Sequence, residues 1–251
     1  MEFLAFTIFA PIASWGDVAV GEIRGTWDRP SRSAILGLIG AALGVERDDL
    51  ERQRHLAEAF GVAVRVDASG QPITDYHTAQ TLSRVNMRRS GARTRAQMMA
   101  VDDRQTIVSR RRYLTDSLYT ILLWERAGGA LRLHEILTAL RSPVFSLYAG
   151  RRAAPLGLPT DPALIEAATL AGAFGQRRPL PDALMTGIGR RLLEGQGGRE
   201  VAHDPCDGFD AGLESPAGRV GRRDQPIDRI RWLFSDRQVE FGRLPAAAEG
   251  T

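Results

Sequence analysis

The chain has no lysine. All 33 of its basic residues are arginine, which removes every chemistry that needs a side-chain primary amine: the Walker A phosphate loop, Schiff-base catalysis and a lysine general acid. Cysteine is nearly as scarce. The single thiol, Cys206, excludes an intramolecular disulfide and any site built from several thiolates. The four histidines, His55, His77, His134 and His203, share no metal-ligand spacing. The run His203-Asp204-Pro205-Cys206-Asp207 is rich in ligand types, yet it has no partner at zinc or calcium spacing. No metal and no cofactor are therefore expected. GxSxG and HExxH motifs are missing, as is the RNP1 signature of ordinary RNA-recognition domains. No run of about 18 apolar residues occurs, and MEFLAFTIFAPIASWG does not have the basic start and cleavage site of a signal peptide. The expectation is a cytoplasmic protein without membrane attachment.

What is present is ordinary globular composition: 251 residues, 43% hydrophobic and 25% charged, enough for one large domain or two small ones. The net charge of +3 is too small to announce a nucleic-acid partner, so its distribution matters more. Nine arginines between Arg84 and Arg112 face only Asp102 and Asp103, a local +7, which leaves −4 for the rest. The all-arginine composition fits a GC-rich coding bias. It equally fits use of the guanidinium fork, which grips phosphate and stacks on bases.

Phe3 to Phe9 is a short apolar run that fits a buried strand. Ser31 to Leu43 has a helical pattern, with Ser31 or Ser33 as N-cap and Gly44 as its stop. Asp48 to Ala59 fits a second, polar helix, and Gly61 to Asp67 alternates as a strand. After a turn at Ala68 to Pro72, no hydrophobic period persists from Ala79 to Arg110, an excursion of roughly thirty residues that should be functional or disordered. Arg111 to Glu125 fits a long strand and Leu131 to Leu140 a helix. This order is most of a β-α-β-β-α-β unit. The expected fold is therefore α+β, a ferredoxin-like palm over 1–150 with a basic thumb at about 78–112 inserted between its second and third strands. A glycine- and arginine-rich loop and a smaller, mainly β region would fill 151–251, with strands at Ile230 to Phe234 and Val239 to Phe241.

Two arginines, Arg29 and Arg32, stand at the entrance of the first helix, where the dipole already places positive charge. They either close over an anion held by helix-end amides and the hydroxyls of Ser31 and Ser33, or pair on the surface with Glu22 or Asp28. Gly37, Gly40 and Gly44 form one smooth helix face with Ala41, expected to pack closely on the sheet or a neighbour. In the basic segment, arginines alternate with Val85, Met87, Met98, Met99 and Ile107, so apolar tips can wedge against bases while arginines grip phosphates. His77, beside Tyr76, is the one residue placed to act as a general acid or base.

WG near the first strand, RPSRSAILGLIGAALGVERDD, DYHT, RRYLTDS, LYAGRRAAPLGLP and RRDQPIDRIRWLFSDRQV follow one another in the order found in the Cas5e (CasD) family of type I-E CRISPR Cascade complexes, which the chain resembles over nearly its whole length. The resemblance implies a non-catalytic, RNA-binding scaffold subunit that grips the 5′ handle of CRISPR RNA (crRNA). It implies that the subunit caps the Cas7 filament next to the large Cas8e subunit, meeting target DNA only through the assembly. It also implies RNA contacts at Arg24, Arg29, Ser31, Arg32 and Ser33, at His77, Arg84, Arg88, Arg89, Arg110, Arg111 and Arg112 of the thumb, and at Tyr148, Gly150, Arg151 and Arg152 of the glycine loop. The alternative is a metal-independent endoribonuclease like the related Cas5d, using His77 with Tyr76 or Tyr113. A reader of duplex DNA is a third possibility.

Overall fold

The computed structural model describes residues 1–246 except positions 18, 20, 103, 186, 195–197, 215–217, 229–230 and 232. Its frame is one large sheet in the order β6-β1-β5-β3-β7-β9-β8, with β2 and β4 attached to β5. The central strands are β1 (Glu2–Ala13), β3 (Phe60–Ala68) and β5 (Arg104–Glu125). β1 and β3 each pair antiparallel with the palm half of β5, Leu4 opposite Leu123 and Val62 also opposite Leu123. β6 (Ala163–Glu166) flanks β1 on the outer side. β7 (Glu200–His203) flanks β3 and leads through β9 (Leu233–Arg243) to β8 (Arg219–Asp228).

These central strands are apolar on both sides because the sheet is covered on both sides. On one face α1 (Arg32–Ala42), α2 (Leu50–Ala59) and α5 (Leu133–Arg141) close over Phe6, Ile8, Val64, Tyr119 and Ile121. On the other, α6 (Leu170–Gln176) and the segment around Phe209 close over Phe3, Leu122 and Trp124. Each fully buried large side chain is worth about 2 kcal/mol of transfer free energy, so alternation between two cores holds the sheet more firmly than hydrogen bonding alone.

Ser31 caps α1, its side chain accepting from the Ala34 amide, and Gly44 ends that helix at φ +69°. Both follow the sequence expectation. The basic segment does not. In place of a thirty-residue excursion without elements, β4 (Gln71–Leu82) runs out along the distal half of β5 as a two-stranded ribbon. Its tip carries α3 (Arg84–Ser90) and α4 (Arg95–Met99). On the other edge of β5 the two-residue β2 (Ile23–Arg24) pairs in parallel, Arg24 beside Arg111. On one edge β5 changes partner from β3 to β4 around Asp116, which takes the left-handed conformation (φ +53°) near the turn at Gly70 (φ +73°), while on the other edge β1 stays paired as far as Leu114.

The segment after 150 is folded into the same sheet, adding β6 at one edge and β7, β9 and β8 at the other. It also carries α6, a short 3₁₀ turn at Asp182–Leu184 and α7 (Ile188–Leu193), none of which the sequence pattern indicated. The expected strand at Ile230 to Phe234 falls partly outside the described residues. β9 begins at Leu233 and contains Val239 to Phe241. Among the described residues no helix is long and apolar enough to cross a membrane.

Candidate nucleic-acid interface

Arginines of this chain divide into two populations. In the body they are neutralised internally: Arg29 by Asp28 and Glu200, Arg65 by Asp67, Arg177 by Asp161, and Arg32, Arg126 and Arg237 by Asp204. None of the arginines from Arg84 to Arg112, nor Arg151 or Arg152, is in an ion pair among the described residues. No described carboxylate lies within ion-pair distance of them, and Asp75 stands directly across the ladder from Arg111. Arg84, Arg88 and Arg89 are exposed on α3 at the thumb tip, and Arg110 and Arg112 are exposed on the ribbon.

Strand alternation sorts the ribbon residues onto two faces. Arg111, Ser109, His77 and Tyr113 share one face with Arg24 of β2; Arg110, Arg112 and Tyr76 share the other. On the second face Arg110 lies over the Tyr76 ring at 5.8 Å. His77 and Tyr76 consequently point to opposite sides. Tyr113 is on the His77 side but opposite Ile73, four residues further along, roughly 13 Å at strand spacing. Neither tyrosine therefore stands beside His77.

The glycine loop reaches the base of the ribbon through Ser14. The Ser14 amide donates to the Ala149 carbonyl at 3.1 Å, Arg151 Nε donates to Ser14 Oγ at 3.0 Å, and the Arg151 guanidinium stacks on Tyr113 at 5.2 Å. Gly150 has φ +80°, and a Cβ there would fall 1.9 Å from the Ser14 carbonyl oxygen. Only glycine lets the loop lie this close. Tyr148 and Arg152 stay exposed beside it. Residue 15 links this loop to the helix entrance: Trp15 Nε1 donates to Tyr119 Oη at 3.1 Å, and Tyr119 Oη donates to the Asp28 carbonyl at 2.8 Å. The sequence does not single out Ser14, Trp15 or Tyr119 as site residues, and it offers Tyr113 only as a partner of His77. The WG motif was the one available signal.

At the helix entrance the structure corrects the expectation of an open phosphate site. Arg32 is 2% exposed. Its Nε donates to Asp204 at 2.8 Å, Nη1 to Gln225 at 2.7 Å, and Nη2 to the Ala57 and Phe60 carbonyls, both at 2.7 Å. The guanidinium is thus consumed within the fold, and burial pulls its pKa down against the pull of Asp204. The anion at the helix end is intramolecular, since the Arg32 amide donates to Asp224 Oδ2 at 3.1 Å. Ser31 and Ser33 hydroxyls bond each other at 3.0 Å. Arg29 pairs with Asp28, one of the two carboxylates considered from sequence, and with Glu200 rather than Glu22. Burial opposes the Arg29 charge, but these carboxylates outweigh it and hold the guanidinium more firmly protonated than usual.

The glycine face packs on neighbours and not on the sheet: a Cβ at Gly40 would meet Leu56 of α2 at 3.4 Å, and Gly37, Gly40 and Ala41 line, with Leu36, Leu56 and the segment 144–148, a groove of about 760 Å³. Gly44 does pack closely, its missing Cβ leaving room for Val144.

Cys206 is half-buried, and burial, reinforced by Glu240, Asp204, Asp207 and Asp210, pushes its thiol up to about 12. It is a poor nucleophile and a poor ligand there. Among the described residues no group of three or more His, Cys, Asp or Glu is arranged to hold a metal.

This combination of an antiparallel sheet with an arginine-bearing ribbon has counterparts. The family model described as CRISPR-associated protein (Cas_Cas5) matches residues 3–240. The curated CRISPR system Cascade subunit CasD of Escherichia coli (strain K12) is 32% identical over 166 residues, 63% of this chain and 69% of that one. Among solved structures, a chain of a CRISPR RNA-guided surveillance complex superimposes with a TM-score of 0.59 at 24% identity, covering 98% of this chain and 92% of its own. A crystal structure of a Cas protein does so with 0.54 at 22%, covering 97% and 95%. The chain belongs to the Cas5 family of CRISPR-associated proteins.

Proposed function

We propose that this chain is the non-catalytic RNA-binding subunit of a type I-E Cascade complex, holding the 5′ handle of crRNA and capping a filament of Cas7 subunits next to Cas8e. The observation that carries the reading is the split between arginines neutralised within the body and those without an ion pair on the thumb and the loop at Gly150. Guanidinium groups without ion pairs on a projecting ribbon suit a phosphate chain, with Tyr76 and Tyr148 exposed for base contacts. The palm fits a ferredoxin-like unit. β1, β3, β5 and β6 stand in the order fourth-first-third-second, with every neighbouring pair antiparallel. With anions of the chain itself resident at the α1 entrance, this reading assigns the RNA contacts to Arg24, the thumb arginines, Tyr148, Arg151 and Arg152, with Arg32 acting as a support. Arg29 Nη1 at that entrance is buried without an acceptor among the described residues.

The test is binding of the full chain to a fluorescent RNA carrying the 5′ portion of the CRISPR repeat, measured across salt concentration in EDTA. Single-stranded RNA contributes a slope of about −0.7 per phosphate contact. The triple replacement of Arg110, Arg111 and Arg112 by alanine should flatten that slope by about 2 while leaving the RNA uncut. An unchanged slope overturns the assignment. Cleavage that disappears in His77→Ala would instead make the chain a ribonuclease, and preference for duplex DNA without RNA would make it a duplex reader.

A further inference from the structure

Strand β4 has one side without a partner. It pairs with β5 at every residue from Gln71 to Leu82, without a register shift, and with no other strand among the described residues. Which backbone groups face the open side follows from the ladder. The Arg110 amide is turned away from β4, since it donates to the Glu22 carbonyl at 2.9 Å. In an antiparallel pair, directly opposite residues bond each other or turn away together. The amide and carbonyl of Tyr76, opposite Arg110, therefore point out of the ribbon. By alternation so do those of Thr74, Thr78 and Gln80, and the carbonyl of Pro72. Pro72 has no amide to offer, and the Gln80 carbonyl accepts from Arg95 Nη1 at 2.6 Å. Between these two stops, the outward amides and carbonyls of Thr74, Tyr76 and Thr78 bond to no described residue. Open edges are normally blunted by lysine or arginine, an internal proline or a bulge. From Ile73 to Ala79 β4 has none of these; it is exposed throughout and rich in residue types that favour extended backbone.

We propose that this edge takes one extended segment of a partner protein, added to the ribbon as a further strand and carrying carboxylates at alternate positions. Donors and acceptors alternate along the edge, and a second backbone answers them group for group. Phosphates, which only accept, would leave the three carbonyls unanswered. Charge then selects the side chains. An added strand places every second residue on the face of Tyr76, Arg110 and Arg112. Neither arginine has an ion pair among the described residues, and the Arg110 guanidinium lies over the Tyr76 ring at 5.8 Å, reaching across β4 towards the edge. A second copy of this chain is disfavoured, because pairing two β4 edges puts two such arginine sets on one sheet face. The RNA-binding reading uses side chains of the ribbon and not this edge, so the two stand or fall separately.

The probe is an end-capped heptapeptide of alternating glutamate and valine, added to the isotope-labelled full-length chain while amide hydrogen exchange is followed residue by residue. At saturating peptide the amides of Thr74, Tyr76 and Thr78 should slow at least about tenfold, while those of Asp75 and His77, already in the β5 ladder, change little. The same peptide with lysine for glutamate, or with every amide N-methylated, should bind at least about tenfold more weakly. Thr78→Pro removes one outward donor where an edge strand tolerates proline and should weaken the peptide by a similar factor, whereas Thr78→Val should bind as the wild type does. If Thr78→Pro loosens the ribbon, seen as faster exchange in its ladder, the methylated peptide still decides. Undiminished binding of that methylated peptide, or no slowing at the three amides, overturns the proposal. Slowing of the same amides by the repeat RNA alone assigns the edge to RNA, and their protection in a sedimenting dimer of the chain assigns it to a second copy; either result overturns the proposal too.

Discussion

The backbone amide of Arg32 donates to the carboxylate of Asp224 at 3.1 Å, across 192 residues of sequence. A helix that begins with arginine is thereby supplied with a negative charge at its N-terminus by the chain itself. The Arg32 side chain points inward to Asp204, which also accepts from the Val62 amide, Arg126 and Arg237. Arg237 in turn holds Asp224 at 3.0 Å. The β8–β9 hairpin is thus fastened to α1 by alternating charges, and the palm edge, α1 and the C-terminal strands share one network.

Removing the hub should be severe. Asp204 is 2% exposed, so Asp204→Ala leaves the Arg32 guanidinium buried without its counter-ion, a situation that costs about 3–5 kcal/mol. Urea unfolding should show a loss of that size for Asp204→Ala. The double variant Asp204→Ala, Arg32→Met should recover part of it, because the stranded charge is gone. Loss of 1 kcal/mol or less in the single variant would show the network to be loosely held.

Support and contact are separable. Arg151→Ala and Arg152→Ala should each flatten the salt dependence of RNA binding by about 0.7 with little change in unfolding free energy. Arg32→Met should do the reverse, lowering stability while the slope stays within error. Equal flattening in all three would return Arg32 to the RNA surface.

How much of this was readable in advance follows from periodicity. The apolar run at Phe3 to Phe9, the capped helix after Ser31 and the alternation at Gly61 to Asp67 each announced their element, because each buries a regular set of side chains. The ribbon was invisible for the opposite reason: Gln71 to Ala79 of β4 are all exposed, and that strand is held by its ladder to β5 rather than by an apolar face. β6 and β7, four residues each, are too short to show a pattern. Within the site, the basic segment and the glycine loop were legible as charge and composition. The burial of Arg32 was not, since its partners Asp204 and Gln225 lie 172 and 193 residues away. Nor was Ser14, which acts through one hydroxyl and its backbone.

The lone cysteine should be inert in the native state. With its thiol at about 12, the thiolate fraction at pH 8 is on the order of a thousandfold below that of an ordinary cysteine. Reaction with a disulfide reagent at pH 8 should be slow in native protein and rise steeply in denaturant. Rapid native reaction would place Cys206 on an open surface.

Tyr119 carries a second, pH-linked signature. Burial raises its phenol from 10.0 to about 12, so the folded state retains a proton that the unfolded state releases. The contribution is fully present below pH 10 and is lost as pH rises through 12, about 2–3 kcal/mol in all. Stability measured from pH 9 to 12 should fall more steeply in the wild type than in Tyr119→Phe, and the late phase of tyrosinate absorbance should vanish in that variant. Parallel curves would mean that the phenol is accessible to water.

Gly150 tests whether the loop at 148–152 must lie against Ser14. An alanine there meets two penalties: a left-handed backbone at φ +80°, and a Cβ 1.9 Å from the Ser14 carbonyl oxygen, which belongs to the protein backbone and cannot swing aside. The loop has to lift. Lifting breaks the Ser14–Ala149 hydrogen bond and draws Arg151 away from Ser14 Oγ and the Tyr113 ring. Gly150→Ala should therefore cost at least about 2 kcal/mol in unfolding free energy and should weaken RNA binding although it removes no charge. Gly91→Ala is the control, since Gly91 also has a positive φ but meets nothing within 4 Å. It should cost about 1 kcal/mol through backbone strain alone and leave RNA affinity unchanged. If the two variants lose the same stability and both keep their RNA affinity, the seating of the loop on Ser14 plays no part in binding, and Arg151 reaches the RNA from wherever the loop happens to sit.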